Sequence, residues 1–260
     1  MYSMREEDLV SACEFFAHDD LRDSQKEMLL DSINILGEKG FLIASAPTGI
    51  GKTAASLAAA LKIKNKSKNG KKILFLTGRQ SQHRIVVDTI KKINQKVNNE
   101  LQVKLTDMIG RESMCYDVQP ITGECSCEEG IEERAKRSNR MKLVNKILEQ
   151  PMHVEDIIKL GRDEKICPWA SARISAKDAD VIVCDYNHVF IENIMKSSLS
   201  SMGIELSNSI LIVDEAHNLP DRVRNGLERH LPRKAFRGAY YEIEEYLGKF
   251  NMDIVNSNFH

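Results

Sequence analysis

No apolar run in this 260-residue chain approaches the ~20 residues that a helix needs to cross a bilayer. The first residues, Met1 to Asp8, lack the basic-then-apolar form of a secretory leader. The expected location is therefore the cytoplasm, with no membrane partner. Charge of one sign is also missing. The formal net charge is −1, so any contact with nucleic acid must come from local basic patches and not from a global field. Internal repeats and low-complexity tracts are absent. Cysteine is scarce at six residues, and an intracellular chain is a poor setting for a disulfide framework. Four of the six nevertheless fall in one window, which suggests a metal or cluster site. A hydrophobic content of 42% against 29% charged residues describes a globular chain, either one large domain or two small ones.

The chain is organised around Ala46-Pro47-Thr48-Gly49-Ile50-Gly51-Lys52-Thr53. The apolar run Phe41-Leu42-Ile43-Ala44 before it reads as a short buried strand. The Ala- and Leu-rich run after it reads as a helix, because these residues lead the helix-propensity scale. Strand, glycine loop, Gly-Lys-Thr and helix together form the layout that cradles a nucleoside triphosphate. Glycines let backbone N–H groups approach the phosphates, and the helix N-terminus adds about half a unit of positive charge. Lys52 reaches the β- and γ-phosphates, and Thr53 ligates Mg²⁺. Ala46 stands where the strict pattern has its first glycine.

Further strands are expected over 73–77, 103–109, 180–184 and 209–214, which with 41–45 make a mostly parallel sheet with helices on both faces. Helices are expected over 5–17, 23–37, 128–149 and 153–160, the last stopped by Gly161. Gln25, ahead of the loop, either reads an adenine edge with its amide or is simply an exposed helix residue. Polar chemistry gathers where the strands end, which is where ligands meet an open α/β sheet. Thr77, Arg79, Gln82 and His83 follow one strand and could hydrogen-bond a phosphodiester backbone. Tyr186 and Asn187 follow another and could offer a stacking surface. Trp169 either stacks on a base or packs the insertion against the sheet. Cys13 and Cys184 read as core residues.

The clearest strand runs straight into Asp214-Glu215-Ala216-His217. Asp214 can hold Mg²⁺ opposite Thr53, and Glu215 can orient or deprotonate the water that attacks the γ-phosphate. His217 can couple nucleotide state to neighbouring elements. Cys115, Cys125, Cys127 and Cys167 lie between the two motifs and suit either an iron–sulfur cluster or tetrahedral zinc.

The loop at 46–53, the Asp214–His217 box and the intervening cysteines together resemble superfamily-two helicases, and specifically the XPD/DinG-like DNA helicases of archaeal XPD type. The resemblance implies a RecA-like P-loop NTPase domain with a DEAH box over 1–109 and 176–220. It implies a mainly helical, cysteine-rich insertion carrying a 4Fe–4S cluster over 110–175, with zinc as the alternative, and the start of a helical arch over 221–260. It further implies an ATP- and Mg²⁺-dependent 5′–3′ translocase on single-stranded DNA, active at duplex junctions in DNA repair. Arg22 and Gln25 would form the adenine-side motif, and residues 77–83 the DNA-contacting motif Ia. The Cys125-x-Cys127 spacing is tighter than the family's. Motifs III to VI and the arginine finger, carried by a second motor domain, have no counterpart here. The expectation is thus an N-terminal half that works with a separate polypeptide, or a truncated or split relative that binds ATP or single-stranded DNA without motor activity of its own.

Overall fold

The computed structural model describes residues 13–47, 49–67, 70–117, 137–228 and 233–249. Four parallel strands form one sheet in the order β2-β3-β1-β4. They are β1 (Lys72–Leu76), β2 (Leu105–Asp107), β3 (Val181–Cys184) and β4 (Ser209–Val213). β1 lies at the centre, with Leu76 level with Cys184 on one side and with Val213 on the other. Because the strands are parallel and in step, the residues that follow them emerge at one edge: Thr77 from β1, Met108 from β2, Asp185 from β3 and Asp214 from β4. Strand residues 73–76 and 181–184 are wholly buried, as expected of a parallel sheet covered on both faces.

Helices α1 (Asp23–Gly37), α2 (Lys52–Lys66) and α3 (Gln80–Lys96) cover one face. Their buried side chains include Leu29, Leu57, Ala58, Ile90 and Ile93, packed on Ile73, Phe75, Val181 and Val183. The alanine run of α2 lets this helix lie close to α1 and the sheet. The opposite face is covered by α5 (Arg137–Glu149), α6 (Val154–Asp163), α7 (Pro168–Ser175) and α9 (Glu192–Met202). Leu143, Ile147, Ile157, Ala172 and Met202 meet Leu74, Leu76, Ile182 and Cys184 there. The cysteine-bearing stretch, which also contains the short α4 (Arg111–Met114), therefore supplies one wall of the sheet's own core. Short helix α8 (Asn187–Phe190) links β3 to α9. The chain divides into two compact units, 1–223 and 224–260. In the second, α11 (Arg233–Lys249) carries exposed Phe236, Tyr240 and Ile243, and Tyr240 donates to Glu244 at 2.6 Å. α10 (Leu219–Leu227) precedes it in sequence. Among the described residues, no helix is long and apolar enough to cross a membrane.

Several expectations need correction. Residues 41–45 form no strand; Phe41 and Ile43 are each 97% exposed. An apolar run becomes a strand only where a neighbouring ladder takes up its N–H and C=O groups. β4 pairs with β1 on one side, and among the described residues nothing pairs with its other edge. The expected strand 103–109 is three residues long, Leu105–Asp107. Gly161 does not stop α6, which continues to Asp163. A Cβ at Gly161 would lie 2.8 Å from the Ile166 carbonyl oxygen and 3.0 Å from Pro168 Cβ, so this glycine permits a close backbone approach inside the helix. Cys13 is exposed, whereas Cys184 is buried as read. Most of the expected helix 5–17, and the 128–136 part of the charged helix, lie outside the described residues.

Candidate functional site

The phosphate loop leads directly into α2. Gly49 and Gly51 have φ of 84° and 83°, in the left-handed region that favours glycine, and Gly51 is the N-cap of α2. Thr48 lies outside the described residues. Pro47 is exposed, and Ala46 and Ile50 are partly buried. Arg22 and Gln25 come to this loop from the start of α1. The Arg22 guanidinium donates to the Gly49 carbonyl at 3.4 Å, and the Gln25 side-chain oxygen accepts from the Arg22 backbone N–H at 3.0 Å. Gln25 is buried, which removes the reading of an exposed helix residue. Its amide nitrogen would lie 2.2 Å from a Cβ at Gly51, so the side chain rests against the loop backbone.

Lys52 opens α2 and bridges the two halves of the site. Its ammonium donates to the Ala46 carbonyl at 3.3 Å and to Glu215 Oε1 at 3.3 Å, a partner 163 positions away. Thr53 is partly buried on the next position of the helix. Asp214 continues the sheet by one bond, its N–H donating to the Leu76 carbonyl at 2.9 Å. Glu215 then turns sharply, with φ 50° and ψ 46°. Its second carboxylate oxygen lies 3.4 Å from Nδ1 of the largely exposed His217.

Burial, and after it the Glu215 charge, hold the Asp214 carboxyl above its ordinary value, while Lys52 pulls it down. The fold thus favours the neutral acid. Its contribution to stability is present below the ordinary value of ~3.9 and is lost as pH rises through the raised one. Mg²⁺ held by Asp214, as the sequence leads one to expect, would need the ionised form. Mg²⁺-dependent nucleotide affinity is therefore expected to fall on acidification at a higher pH than an ordinary aspartate would give. A titration of nucleotide binding against pH checks this, and Asp214→Asn should remove that limb of the profile.

The residues expected to meet DNA divide. Arg79 is exposed, and Gln82 and Asn187 are partly buried at the same sheet edge. Thr77, His83 and Tyr186 are each at most 2% exposed, so their side chains turn inward in this structure. Thr77 continues the ladder, donating its N–H to the Cys184 carbonyl at 3.0 Å. His83 faces inward from the first turn of α3 because its Nδ1 meets Asp107 Oδ1 at 2.5 Å. The hydroxyl of Tyr186 donates to the Asp214 carbonyl at 2.5 Å.

Asp107 was hidden from sequence reasoning by its apolar strand context. It is fully buried at the end of β2, and its other oxygen accepts the Val154 N–H at the start of α6 at 2.8 Å. His153, the N-cap of α6, is also buried. Its Nδ1 faces two donors, the Glu155 N–H at 3.3 Å and the Arg84 guanidinium at 3.2 Å, so Nε2 carries the hydrogen and donates to the Gln80 carbonyl at 3.2 Å. The first turn of α3 is thereby tied to both β2 and α6. The signal available in sequence was polar residues at the ends of apolar elements, which is suggestive only once the fold has brought them together.

Of the four cysteines in the insertion, Cys125 and Cys127 lie outside the described residues. Cys115 follows α4, its thiol donating to the Asp117 carbonyl at 3.2 Å, and Cys167 caps α7; neither is fully buried. The two helices pack on one another, and the guanidiniums of Arg111 and Arg173 both lie over the Trp169 ring of α7, at 5.6 and 4.3 Å from its centroid. Among the described residues, which do not include Cys125 and Cys127, no group of three or more His, Cys, Asp or Glu side chains is placed to hold a metal ion.

The DEAD_2 family model matches residues 64–235. The ATP-dependent DNA helicase XPD of Sulfolobus acidocaldarius is 30% identical over 218 residues, which cover 81% of this chain and 35% of that protein. The ATP-dependent DNA helicase CHL1 of Eremothecium gossypii is 32% identical over 105 residues, 40% of this chain and 13% of that protein. A solved XPD helicase chain superposes with a TM-score of 0.59 at 26% identity, over 89% of this chain and 40% of that one. The chain thus spans well under half the length of each of these relatives.

Proposed function

This chain belongs to the DEAD_2 family and has the fold of a RecA-like domain of the XPD-like superfamily-two helicases; on that premise we propose that it is the ATP-binding first motor domain of a DNA helicase. One observation carries the reading. Lys52 of the phosphate loop and Glu215 of the second acidic motif meet at 3.3 Å, although they are 163 positions apart. In this reading Lys52 binds the β- and γ-phosphates, Thr53 and Asp214 hold Mg²⁺, and Glu215 prepares the attacking water. Arg22 and Gln25 stand on the adenine side, and His217 beside Glu215 links the site to its surroundings. Single-stranded DNA, and duplex junctions during 5′–3′ movement in repair, would lie along the sheet edge at Arg79, Gln82 and Asn187. Turnover at full rate would require a second motor domain, on the same polypeptide or a separate one.

We infer the domain division from the same likeness: motor residues 1–109 and 176–220, a cysteine-bearing insertion over 110–175, and arch helices over 221–260. Cys115, Cys125, Cys127 and Cys167 would hold a 4Fe–4S cluster, which would cross-link the insertion. Protein purified without oxygen is expected to be coloured and to carry about four iron atoms per chain. A colourless protein with one zinc would exclude the cluster.

DNA contact through phosphates is tested by titrating fluorescent oligo(dT) at several salt concentrations. Log affinity is expected to fall linearly with log salt, with a slope of roughly −0.7 per phosphate contact. Arg79→Ala should weaken binding and flatten that slope by about one contact. Binding independent of salt would contradict this placement of the DNA.

A further inference from the structure

Tyr186 is buried among groups that belong to both proposed ligand sites. It follows β3 at the sheet edge and is 1% exposed. Its ring lies against Gly78, where a Cβ would come within 3.2 Å of Tyr186 Cε2. Gly78 joins buried Thr77 to exposed Arg79, so the ring supports the backbone that presents the candidate DNA contact. At the other end, the Tyr186 hydroxyl donates to the Asp214 carbonyl at 2.5 Å and lies 3.5 Å from the Glu215 carbonyl. Burial, followed by the Asp214 charge, holds the phenol above its ordinary value, so it stays a neutral donor; the Gly78 backbone N–H acts on it in the opposite sense.

The backbone held by this hydroxyl is a special one. Glu215 is among three non-glycine residues with positive φ in the described chain. L-residues occupy this region at a cost and stay there when neighbours over-determine them. Here Asn218 adds two bonds to the Glu215 carbonyl, from its N–H at 3.0 Å and its side-chain amide at 3.2 Å. The Glu215 carboxylate is paired with Lys52. An unbroken series of contacts thus runs from the Gly78 loop through one tyrosine to the acidic motif, and on to the phosphate-loop lysine.

We propose that Tyr186 is a positioning residue that couples nucleic-acid occupancy of the Gly78-Arg79 loop to the placement of Asp214 and Glu215 on the nucleotide. The inference rests on the function proposed above and goes beyond it. The bistable element is the Glu215 turn. In one state, the one described here, its carboxylate holds Lys52. In the other, Lys52 serves the phosphates and Glu215 faces the attacking water. Close packing at Gly78 leaves the ring little slack, so a shift of the DNA loop moves the hydroxyl and, through it, the Asp214–Glu215 peptide. Coupling of this kind is reciprocal: DNA alters nucleotide affinity by the same factor as nucleotide alters DNA affinity.

The test uses the whole chain, a fluorescent ATP analogue with Mg²⁺, and oligo(dT). Each affinity is measured with and without saturating amounts of the other ligand. In the unsubstituted protein the affinity is expected to change by about five- to 150-fold, the usual range of such couplings. Tyr186→Phe keeps the ring and its packing and removes only the hydroxyl. It should bring the ratio to within about twofold of unity while both ligands still bind, a loss that simple destabilisation would not produce. Gly78→Ala, which displaces the ring and keeps the hydroxyl, should also cut the ratio and covers the case in which the first variant fails to fold. Full coupling in Tyr186→Phe would overturn the proposal, as would an unsubstituted protein that binds both ligands independently. A protein that binds neither ligand would overturn the proposed function, and the relay with it.

Discussion

Lys52→Ala is expected to lower productive ATP binding and turnover by on the order of 10²–10³-fold, the usual effect of deleting one charged or preorganised donor from a phosphate or oxyanion site. The present partners of Lys52 explain why the loss should be confined to function. The ammonium donates to the Ala46 carbonyl and to Glu215, and its side chain is 27% exposed. A partly exposed ion pair of this kind contributes at most about 1 kcal/mol to folding. Removing it leaves the carbonyl and the carboxylate within reach of water. In the proposed site nucleotide would take Lys52 away from both partners, so ATP binding would exchange one set of polar contacts for another. The measurement is nucleotide affinity and hydrolysis alongside a thermal melt. A large functional loss with a nearly unchanged melt is the expected pair of results. An unchanged nucleotide affinity would remove Lys52 from the phosphate site.

Asp107→Ala is expected to be the most damaging single change to the fold itself. It strips the acceptor from His83 and from the Val154 N–H in a fully buried setting. Breaking a buried pair while its partners remain costs about 3–5 kcal/mol. For a domain of this size that is a fall on the order of 10 °C in melting temperature. Arg84→Ala, which removes only the half-exposed bridge to Glu155 and one contact to His153, should cost under about 1 kcal/mol. Differential scanning calorimetry of the two variants separates these expectations. Equal, small shifts would mean that the buried network does not anchor α3 to β2 and α6.

The helix at 23–37, the phosphate-loop helix and four of the five strands were legible because each is a local pattern. Apolar periodicity, an alanine-leucine run and a glycine stop sign need no knowledge of the rest of the chain. The failures have the opposite character. Residues 41–45 have a strand's composition and no described ladder beside them, and pairing is a property of two segments. Gly161 looks like a helix terminator until Ile166 and Pro168 are seen packed against it. His83, in the first turn of α3, and Tyr186, just after β3, sit beyond strand ends, where polar residues usually face solvent. Each instead turns inward to a partner that is remote in sequence, Asp107 or the Asp214 carbonyl. The candidate site was legible to the extent that its two motifs each announce a role. That Lys52 and Glu215 touch, and that Gln25 rests on Gly51, followed only from the fold.

The central claim is that Lys52 and Glu215 form one ATP site in a domain that answers to DNA. Steady-state ATP hydrolysis with Mg²⁺ tests it most directly, measured with and without single-stranded DNA and with Glu215→Gln as the control. The account predicts hydrolysis that rises with DNA and is abolished in Glu215→Gln, slow in the chain alone and faster once a second motor domain is supplied. Hydrolysis indifferent to DNA under both conditions, or retained in Glu215→Gln, would contradict it.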